Sequence, residues 1–172
     1  MVRMLARVCA MGVCAVGLMA CSPTEAGPAQ TTEAAPAAAQ PAVHPVTGLQ
    51  IIDVAVETAD KRIVFKTELA DTPAAQARGL MFRTELADDE AMLFPTETPA
   101  TRSFWMKNTP LPLDLIFIGT DGRITNIERG EPYSLDSIPS AGLATAVFEI
   151  RGGLAEKFGI KPGDKVTYTL PE

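Results

Sequence analysis

The chain has 172 residues, a formal net charge of −6, three cysteines and one histidine. The acid excess repels phosphate backbones and no dense basic run is present, so nucleic-acid binding is not expected. A Ser-His-Asp triad, a Cys-His dyad and a histidine-based zinc site each need an ordered imidazole, so all three would depend on His44.

Residues 1–21 have the pattern of a bacterial lipoprotein signal. Arg3 and Arg7 form a positive beginning, and residues 8–20 form an apolar stretch too short to span a bilayer, which needs about 20 apolar residues. The stretch ends in Leu-Met-Ala-Cys, which resembles a lipobox with Cys21 as the lipidated residue. We therefore predict a signal peptide over residues 1–20; an ordinary cleaved signal is the alternative.

Lipidation of Cys21 would fix both the thiol chemistry and the location of the mature protein. Cys9 and Cys14 lie in the removed segment and Cys21 would be acylated, so no free thiol would remain for a disulfide, a nucleophile or a thiolate metal site. The signal carries two arginines and no acid, which leaves the mature chain near −8. Attachment would come from the acyl chains. We expect an outer-membrane lipoprotein that faces the periplasm, since Ser22 follows Cys21 where Asp is the usual inner-membrane retention signal.

Residues 21–48 are predicted to be a disordered, Pro/Ala-rich tether. They contain almost no large apolar side chain, so they cannot bury enough surface to offset the entropy of ordering. A short Ala-rich helix is the alternative, but recurrent prolines interrupt it. Because His44 falls in this stretch, the sequence predicts no ordered imidazole.

Residues 49–172 are predicted to form one domain in which short strands dominate. Alternating or short apolar runs bounded by turn residues indicate strands. Seven such segments are present, with a further short apolar run at residues 92–94: residues 49–56, 63–69, 102–108, 113–118, 123–128, 143–150 and 164–170. The run at 113–118 is apolar on both faces apart from Asp114, which predicts a central strand.

Two short helices are expected beside these strands. The first would be capped by Asp71 or Thr72, and Gly79 would allow it to pack closely against a sheet. The second would span residues 154–158 and end at Gly159. The set favours a mainly β fold, an antiparallel sandwich or partly closed barrel with two short helices; an open α+β sheet is the alternative.

Six short motifs in the domain are typical, in this order, of one known family. They are RGLMFR at residues 78–83, MLF at 92–94, FWMKNT at 104–109, PLD at 112–114, FEI at 148–150 and GIKPGD at 159–164. Together they resemble the bacterial and archaeal family DUF192, also called UPF0127, over residues 51–169. The resemblance implies a compact, mostly β domain that is often exported and has no agreed biochemical activity. The chain departs from the family pattern at Ala91, where a glycine usually precedes the Met-Leu-Phe run.

Lys107, Asn108 and Asp114 are the sharpest polar cluster in the sequence. They interrupt apolar strand patterns at the two ends of one turn-rich connector, and a buried charge must be paired or solvated. We expect Lys107 to lie within ion-pair reach of Asp114 or Glu149, since Glu149 also interrupts an apolar strand. The functional interpretation is a polar ligand pocket; a structural ion pair is the alternative.

Three further residues complete the predicted ligand-binding set. Arg78 and Arg83 can each offer a guanidinium fork to a carboxylate, although Arg83 can instead neutralise carbonyls at a helix end. Trp105, the only tryptophan, can stack on a flat ligand or lie in the core. Asp114 and Glu149 are a pair of carboxylates that could act as general acid and general base in a glycosidase-like reaction. No cofactor or metal is predicted.

Three functions stay open at the level of the sequence. The favoured one is a non-catalytic binding or accessory module, tethered to the membrane, for an unknown small ligand or envelope protein. The second is a structural lipoprotein that contacts other envelope proteins. The third is an enzyme that acts on a small or glycan substrate through Lys107, Asp114 and Glu149. A concave pocket favours the first or third function, whereas a large apolar surface patch favours the second.

The substitution Cys21→Ser tests the predicted anchor. It removes the thiol that would take the lipid, so the protein should leave the membrane fraction when cells are fractionated. Wild-type protein should sediment with the outer membrane. Unchanged membrane association of the mature Cys21→Ser protein would contradict the prediction.

Overall fold

The computed structural model describes residues 42–171 as a curled β structure with two short helices. The predicted signal peptide, Cys21 and most of the predicted tether lie outside the described residues. The described elements are β1 (Ile51–Glu57), β2 (Arg62–Leu69), α1 (Pro73–Arg78), β3 (Glu90–Phe104), β4 (Leu113–Ile118), β5 (Ile124–Gly130), β6 (Ile138–Arg151), α2 (Leu154–Phe158) and β7 (Lys165–Tyr168). None of the helices in this part of the chain is long and apolar enough to cross a bilayer.

The strands form one sheet in the order β5-β4-β6-β3-β2-β1-β7. Neighbouring strands are antiparallel except for β2 and β3, which run parallel. A parallel pair needs a long crossover connection, and residues 70–89, which include α1, provide it. The crossover places α1 and its following loop against the sheet.

The two edges of the sheet approach each other, so the sheet is a partly closed barrel. Arg123 before β5 forms an isolated bridge with Lys165 at the start of β7. The amide of Ile124 donates to the carbonyl of Asp164 at 2.9 Å, and the amide of Val166 donates to that of Gly122 at 2.8 Å. The predicted mainly β fold with two short helices is confirmed, and the partly closed barrel is the arrangement that forms. The predicted antiparallel sheet is corrected at one place, because β2 and β3 run parallel.

Apolar cores cover both faces of the sheet. On one face, beneath α2, the rings of Phe65 and Phe148 meet edge to face with 5.4 Å between centroids. On the other face, beneath α1 and its loop, lies a second core that includes Met92, Phe94 and Phe117. Every residue of β4 is buried, which confirms the predicted central strand. Any polar side chain on a central strand therefore needs a partner or a cavity.

Residues 42–48 belong to the folded domain, so this part of the tether prediction is wrong. They form a turn in which the amide of Gly48 donates to the carbonyl of His44 at 2.8 Å, and Val43 bridges to Gln50. Prolines and polar residues are typical of tethers and of tight turns alike, and Gly48, at φ 69°, closes this turn. The imidazole of His44 is accordingly held in place.

The structure also corrects two predicted strands. β6 begins at Ile138, five residues before its predicted start at residue 143. β3 runs through residues 90–104, where the sequence predicts a short apolar run at 92–94 and a separate strand from 102, because register shifts against β6 absorb the irregular segment between them. It ends at Phe104, so Lys107 and Asn108 lie in a turn. Ala91 is buried with negative φ, so its backbone needs no glycine.

Candidate ligand-binding cleft

A cleft of about 270 Å³ opens on the α1 side of the sheet. Its walls are the end of α1, the loop after it, and the end of β3 with the turn that follows. Glu149 of β6 lies at its floor. The lining is mainly apolar, with polar groups at the mouth and one carboxyl at the floor: Gln76, Ala77, Arg78, Gly79, Leu80, Met81, Phe94, Arg102, Ser103, Phe104, Trp105, Met106, Thr109, Leu113 and Glu149.

Local sequence signals position the α1 wall. Thr72 caps the helix, because its hydroxyl accepts the amide of Ala75 at 3.2 Å. The side-chain amide of Gln76 donates to the carbonyl of Pro95 at 2.8 Å and fastens the helix to β3. A Cβ on Gly79 would lie 3.3 Å from the ring of Phe94, so glycine permits the close packing that the sequence predicts.

Glu149 is a buried carboxyl without a partner in the described part of the protein. Its cross-strand neighbours are Met92 on β3 and Leu115 on β4, so its side chain points to the second core. Its carboxyl forms no hydrogen bond to another described residue. Among these residues no fully enclosed polar atom lacks a partner, so the carboxyl oxygens reach the open space of the cleft. Burial raises the pKa of Glu149 from 4.5 to about 8, so the group is mostly uncharged at neutral pH.

Two arginines lie at the mouth without carboxylate partners in the described residues. Arg102 packs on Phe104, with its guanidinium carbon 5.6 Å from the ring centroid, and one Nη lies 3.5 Å from the side-chain oxygen of Gln76. Arg78 is exposed at the end of α1. Neither forms an ion pair in residues 42–171, and no acidic side chain except Glu149 lines the cleft. The mouth is therefore positively charged above an uncharged, protonated floor.

A second buried carboxylate, Glu68, lies in the same cross-strand row as Glu149, with Met92 between them. Glu68 is fully partnered. An Arg83 Nη lies 2.5 Å from one oxygen, and the other oxygen accepts the Thr47 hydroxyl at 2.5 Å and lies 3.7 Å from Nδ1 of His44. These partners hold the N-terminal turn on the loop after α1. The contrast isolates Glu149 as the carboxyl whose partner is missing.

Backbone hydrogen bonds connect the loops after α1, β3 and β5, and each loop contains one residue in a left-handed conformation. Phe82, Asn108 and Tyr133 have φ between 56° and 64°, a region that non-glycine residues rarely occupy. The amide of Phe82 donates to the carbonyl of Asn108 at 2.7 Å, and that of Tyr133 donates to Thr109 at 3.1 Å. Each loop is thus held by the next, and such strain is typical of functional sites.

Comparison with known proteins agrees with the motifs. The DUF192 family, described as an uncharacterized ACR, matches residues 54–168. This chain belongs to the DUF192 family. The motifs around the cleft, RGLMFR and FWMKNT, are those on which the resemblance was based, and the curated proteins include no match.

Two solved structures are similar to this DUF192 chain. A protein of unknown function from Novosphingobium aromaticivorans DSM 12444 is 56% identical, with a TM-score of 0.73; the match covers 76% of this chain and 94% of that one. A protein from Sinorhizobium meliloti 1021, described as a candidate transcription regulator, is 35% identical, with a TM-score of 0.67; the match covers 70% of this chain and 95% of that one.

The DUF192 fold brings only part of the predicted site together. Arg78, Trp105 and Glu149 line the cleft, whereas Arg83 binds Glu68 outside it. Arg102 was missed, although its place two residues before the FW pair, at the start of a predicted strand, was a usable signal. Within residues 42–171 no group of three or more His, Cys, Asp or Glu side chains gathers to hold a metal. The ligand-binding roles stay predictions.

The predicted ion pair of Lys107 is wrong. Lys107 is exposed, with Nζ 5.0 Å from the centroid of Trp105, and it forms no ion pair to Asp114 or Glu149. Asp114 pairs with Ile150, the neighbour of Glu149, so the two carboxylates point to opposite faces and cannot act as one acid/base pair. Asn108 is exposed in the same turn, with φ 56°.

Asp114 has a structural role instead. One oxygen accepts from Nη1 of Arg129 at 3.0 Å and the other from the amide of Ala155 at 2.9 Å, at the beginning of α2. A Cβ on Gly152 would overlap the guanidinium of Arg129, so the glycine makes room for this pair. Asp114 therefore ties β4, β5 and α2 together on the face away from the cleft.

The variants Asp114→Asn and Lys107→Met separate these two roles. Asp114→Asn should lower the free energy of unfolding by about 1–3 kcal/mol, because it weakens hydrogen bonds of a buried charged group. Lys107→Met should change it by less than about 0.5 kcal/mol, because the amine is exposed. Denaturant unfolding monitors both; a large loss in Lys107→Met with none in Asp114→Asn would contradict the assignment.

The raised pKa of Glu149 makes stability depend on pH. The unfolded chain releases this proton near pH 4.5 and the folded domain holds it to about pH 8. The free energy of unfolding should therefore fall as pH rises through that window and level off above it. Glu149→Gln removes the titrating group, so its free energy of unfolding should exceed that of the wild-type protein by about 3 kcal/mol at pH 7. Denaturant unfolding across this pH range checks the prediction. If the free energy of unfolding changed equally with pH in the two proteins, Glu149 would have an ordinary pKa and the prediction would be wrong.

Proposed function

We propose that this DUF192 domain is a non-catalytic binding module for a small, largely apolar molecule that enters the cleft and reaches Glu149. The observation that carries the proposal is the carboxyl itself, which is buried, unpartnered in the described residues and in contact with the cleft. An uncompensated polar group in an apolar site lowers stability, and leucine would serve the fold better. A ligand that hydrogen-bonds to the carboxyl gives the group a use.

The character of the walls supports a ligand site. Phe94, Phe104 and Met106 supply apolar contact area, while Trp105 stands half exposed at the mouth. Ligand sites are commonly mainly apolar with a few placed polar groups, and the volume of this cleft is just below their usual range of about 300–1,000 Å³. No cysteine, histidine or second carboxylate lines this cleft to assist Glu149 in catalysis. We therefore favour binding over chemistry.

We infer that the binding module is carried on a lipid anchor at Cys21, with the following residues as its link and the domain in the periplasm. The support is the signal and lipobox pattern of residues 1–21. The description of the Sinorhizobium protein as a candidate transcription regulator concerns that protein. The acid excess of this chain works against a nucleic-acid partner.

Contact with another envelope protein is the second candidate function. Four large apolar side chains are at least half exposed on the loops after α1, β3 and β5: Phe82, Trp105, Tyr133 and Leu135. Clustered apolar side chains at a surface are typical of interaction sites. This surface would serve a structural role or a role beside ligand binding.

A fragment screen on two matched variants tests the cleft. The substitution Ala77→Phe places a ring in the lining, whereas Ala74→Phe places the same ring on α1 outside it. Small aromatic compounds of negative, zero and positive charge should include some that shift the indole N–H signal of Trp105, which is the only tryptophan. Ala77→Phe should abolish these shifts, and Ala74→Phe should preserve them.

Two results would contradict the proposal. One is a library that leaves Trp105 unchanged in wild-type protein. The other is a set of hits that Ala77→Phe and Ala74→Phe affect equally. Unfolding curves of both variants confirm that each is folded before the comparison is made.

A further inference from the structure

We propose that the ligand of this cleft is a small organic anion: its carboxylate lies between Arg78 and Arg102, its flat apolar body lies against Phe94 and Phe104, and a hydrogen-bond acceptor at its far end meets the carboxyl of Glu149. This inference rests on the proposed function of the cleft and adds the chemical class of the ligand. It follows from three features of the lining, taken from the mouth to the floor.

The mouth selects negative charge. Arg78 and Arg102 come from different elements, α1 and β3, and both line the same opening. In the described residues neither has a carboxylate within ion-pair distance, unlike Arg83, Arg129 and Arg151, each of which does. A guanidinium matches the geometry of a carboxylate with two hydrogen bonds. Two unpaired guanidinium groups above an uncharged floor therefore favour an anion over a cation.

The middle of the cleft selects an apolar, flat body. The rings of Phe94 and Phe104 meet edge to face with 5.2 Å between centroids, and both line the cavity. Arg102 lies against Phe104, so the charged mouth continues directly into the aromatic wall. A body on the order of a dozen non-hydrogen atoms fits a cavity of this size. Such a ligand is a substituted aromatic or branched carboxylate rather than a long chain.

The floor selects a hydrogen-bond acceptor. Met92 and Leu115 flank Glu149 on the strands packed against β6, and the carboxylate beyond Met92, Glu68, is neutralised by Arg83. From the cleft side the facing charged groups are Arg78 and Arg102 at the mouth. A protonated Glu149 donates one hydrogen bond, which suits a carbonyl or ether oxygen. An ammonium group would need an ionised Glu149, and that buried pair would have to repay the desolvation of both charges.

Four isosteric compounds test the class. They are 4-acetylbenzoate, 4-isopropenylbenzoate, 4-acetylbenzamide and 4-acetylbenzamidine, which share a flat para-substituted ring and differ in the acceptor or in the charge. Titration calorimetry should show 4-acetylbenzoate binding about tenfold more tightly than 4-isopropenylbenzoate, which lacks the acceptor. It should also bind about tenfold more tightly than the neutral amide and more tightly still than the cationic amidine.

Variants assign each end of the ligand. Arg78→Gln and Arg102→Gln should each remove most of the preference of acid over amide. Arg62→Gln, an exposed cation outside the cleft, should leave that preference unchanged. Glu149→Leu should remove the preference for the acetyl over the isopropenyl compound, whereas Glu149→Gln, which keeps a donor, should retain it. Binding of 4-acetylbenzoate to wild-type protein should weaken as the pH rises above the pKa of Glu149, about 8, because the ionised carboxylate no longer donates a hydrogen bond. Binding to Glu149→Gln should not weaken over the same pH range.

The outcomes separate this inference from the function on which it rests. Tighter binding of the amidine, or equal binding of acid and amide, overturns the anion class while leaving a ligand cleft in place. Failure of all four compounds overturns the class as well, and the fragment screen with Ala77→Phe then decides whether the cleft binds anything. The anion class is supported if wild-type protein prefers the acid over the amide and if Arg78→Gln and Arg102→Gln each lose that preference.

Discussion

The double-sided core of the sheet is the constraint on which the rest of this structure depends. β4 and the second half of β6 carry apolar cores on both faces, so water solvates neither face. A carboxyl on such a strand must therefore be paired, be neutral or reach a cavity. Asp114 takes the first solution, with Arg129 and the amide of Ala155. Glu149 is neutral and also reaches a cavity. That cavity is the cleft, which lies where the loop after α1 does not cover the carboxyl.

The crossover between the two parallel strands explains how that opening is made. A hairpin between β2 and β3 would have left the second core exposed, whereas residues 70–89 return over it. Gly79 lets the helix end approach Phe94 closely, and Gln76 fixes the helix to β3. The same segment therefore closes the core and forms one wall of the cleft. Wall and core share side chains, so the shape of the cleft is tied to the packing of the domain.

Much of this fold could be predicted from local pattern, because strand alternation, caps and turns are local signals. The central strand 113–118, the cap at Thr72 and the close packing at Gly79 followed from such signals. The surroundings of Lys107 could not be predicted in this way, because they depend on where β3 ends. The strand stops at Phe104, so strand alternation no longer determines which face of the sheet the following side chains lie on. The ordered turn at His44 was missed because its prolines and polar residues are also typical of tethers, and because Glu68, which accepts from Thr47 and lies near His44, is distant in sequence.

Two aromatic residues combine a left-handed backbone conformation with an exposed ring. Phe82 and Tyr133 have positive φ, and their side chains are 67% and 63% exposed. Such a conformation costs a side chain roughly 1–2 kcal/mol, and glycine adopts it freely. An exposed ring returns little of that cost through burial. The two rings therefore add exposed apolar area to the surface at the expense of the stability of the chain that carries them.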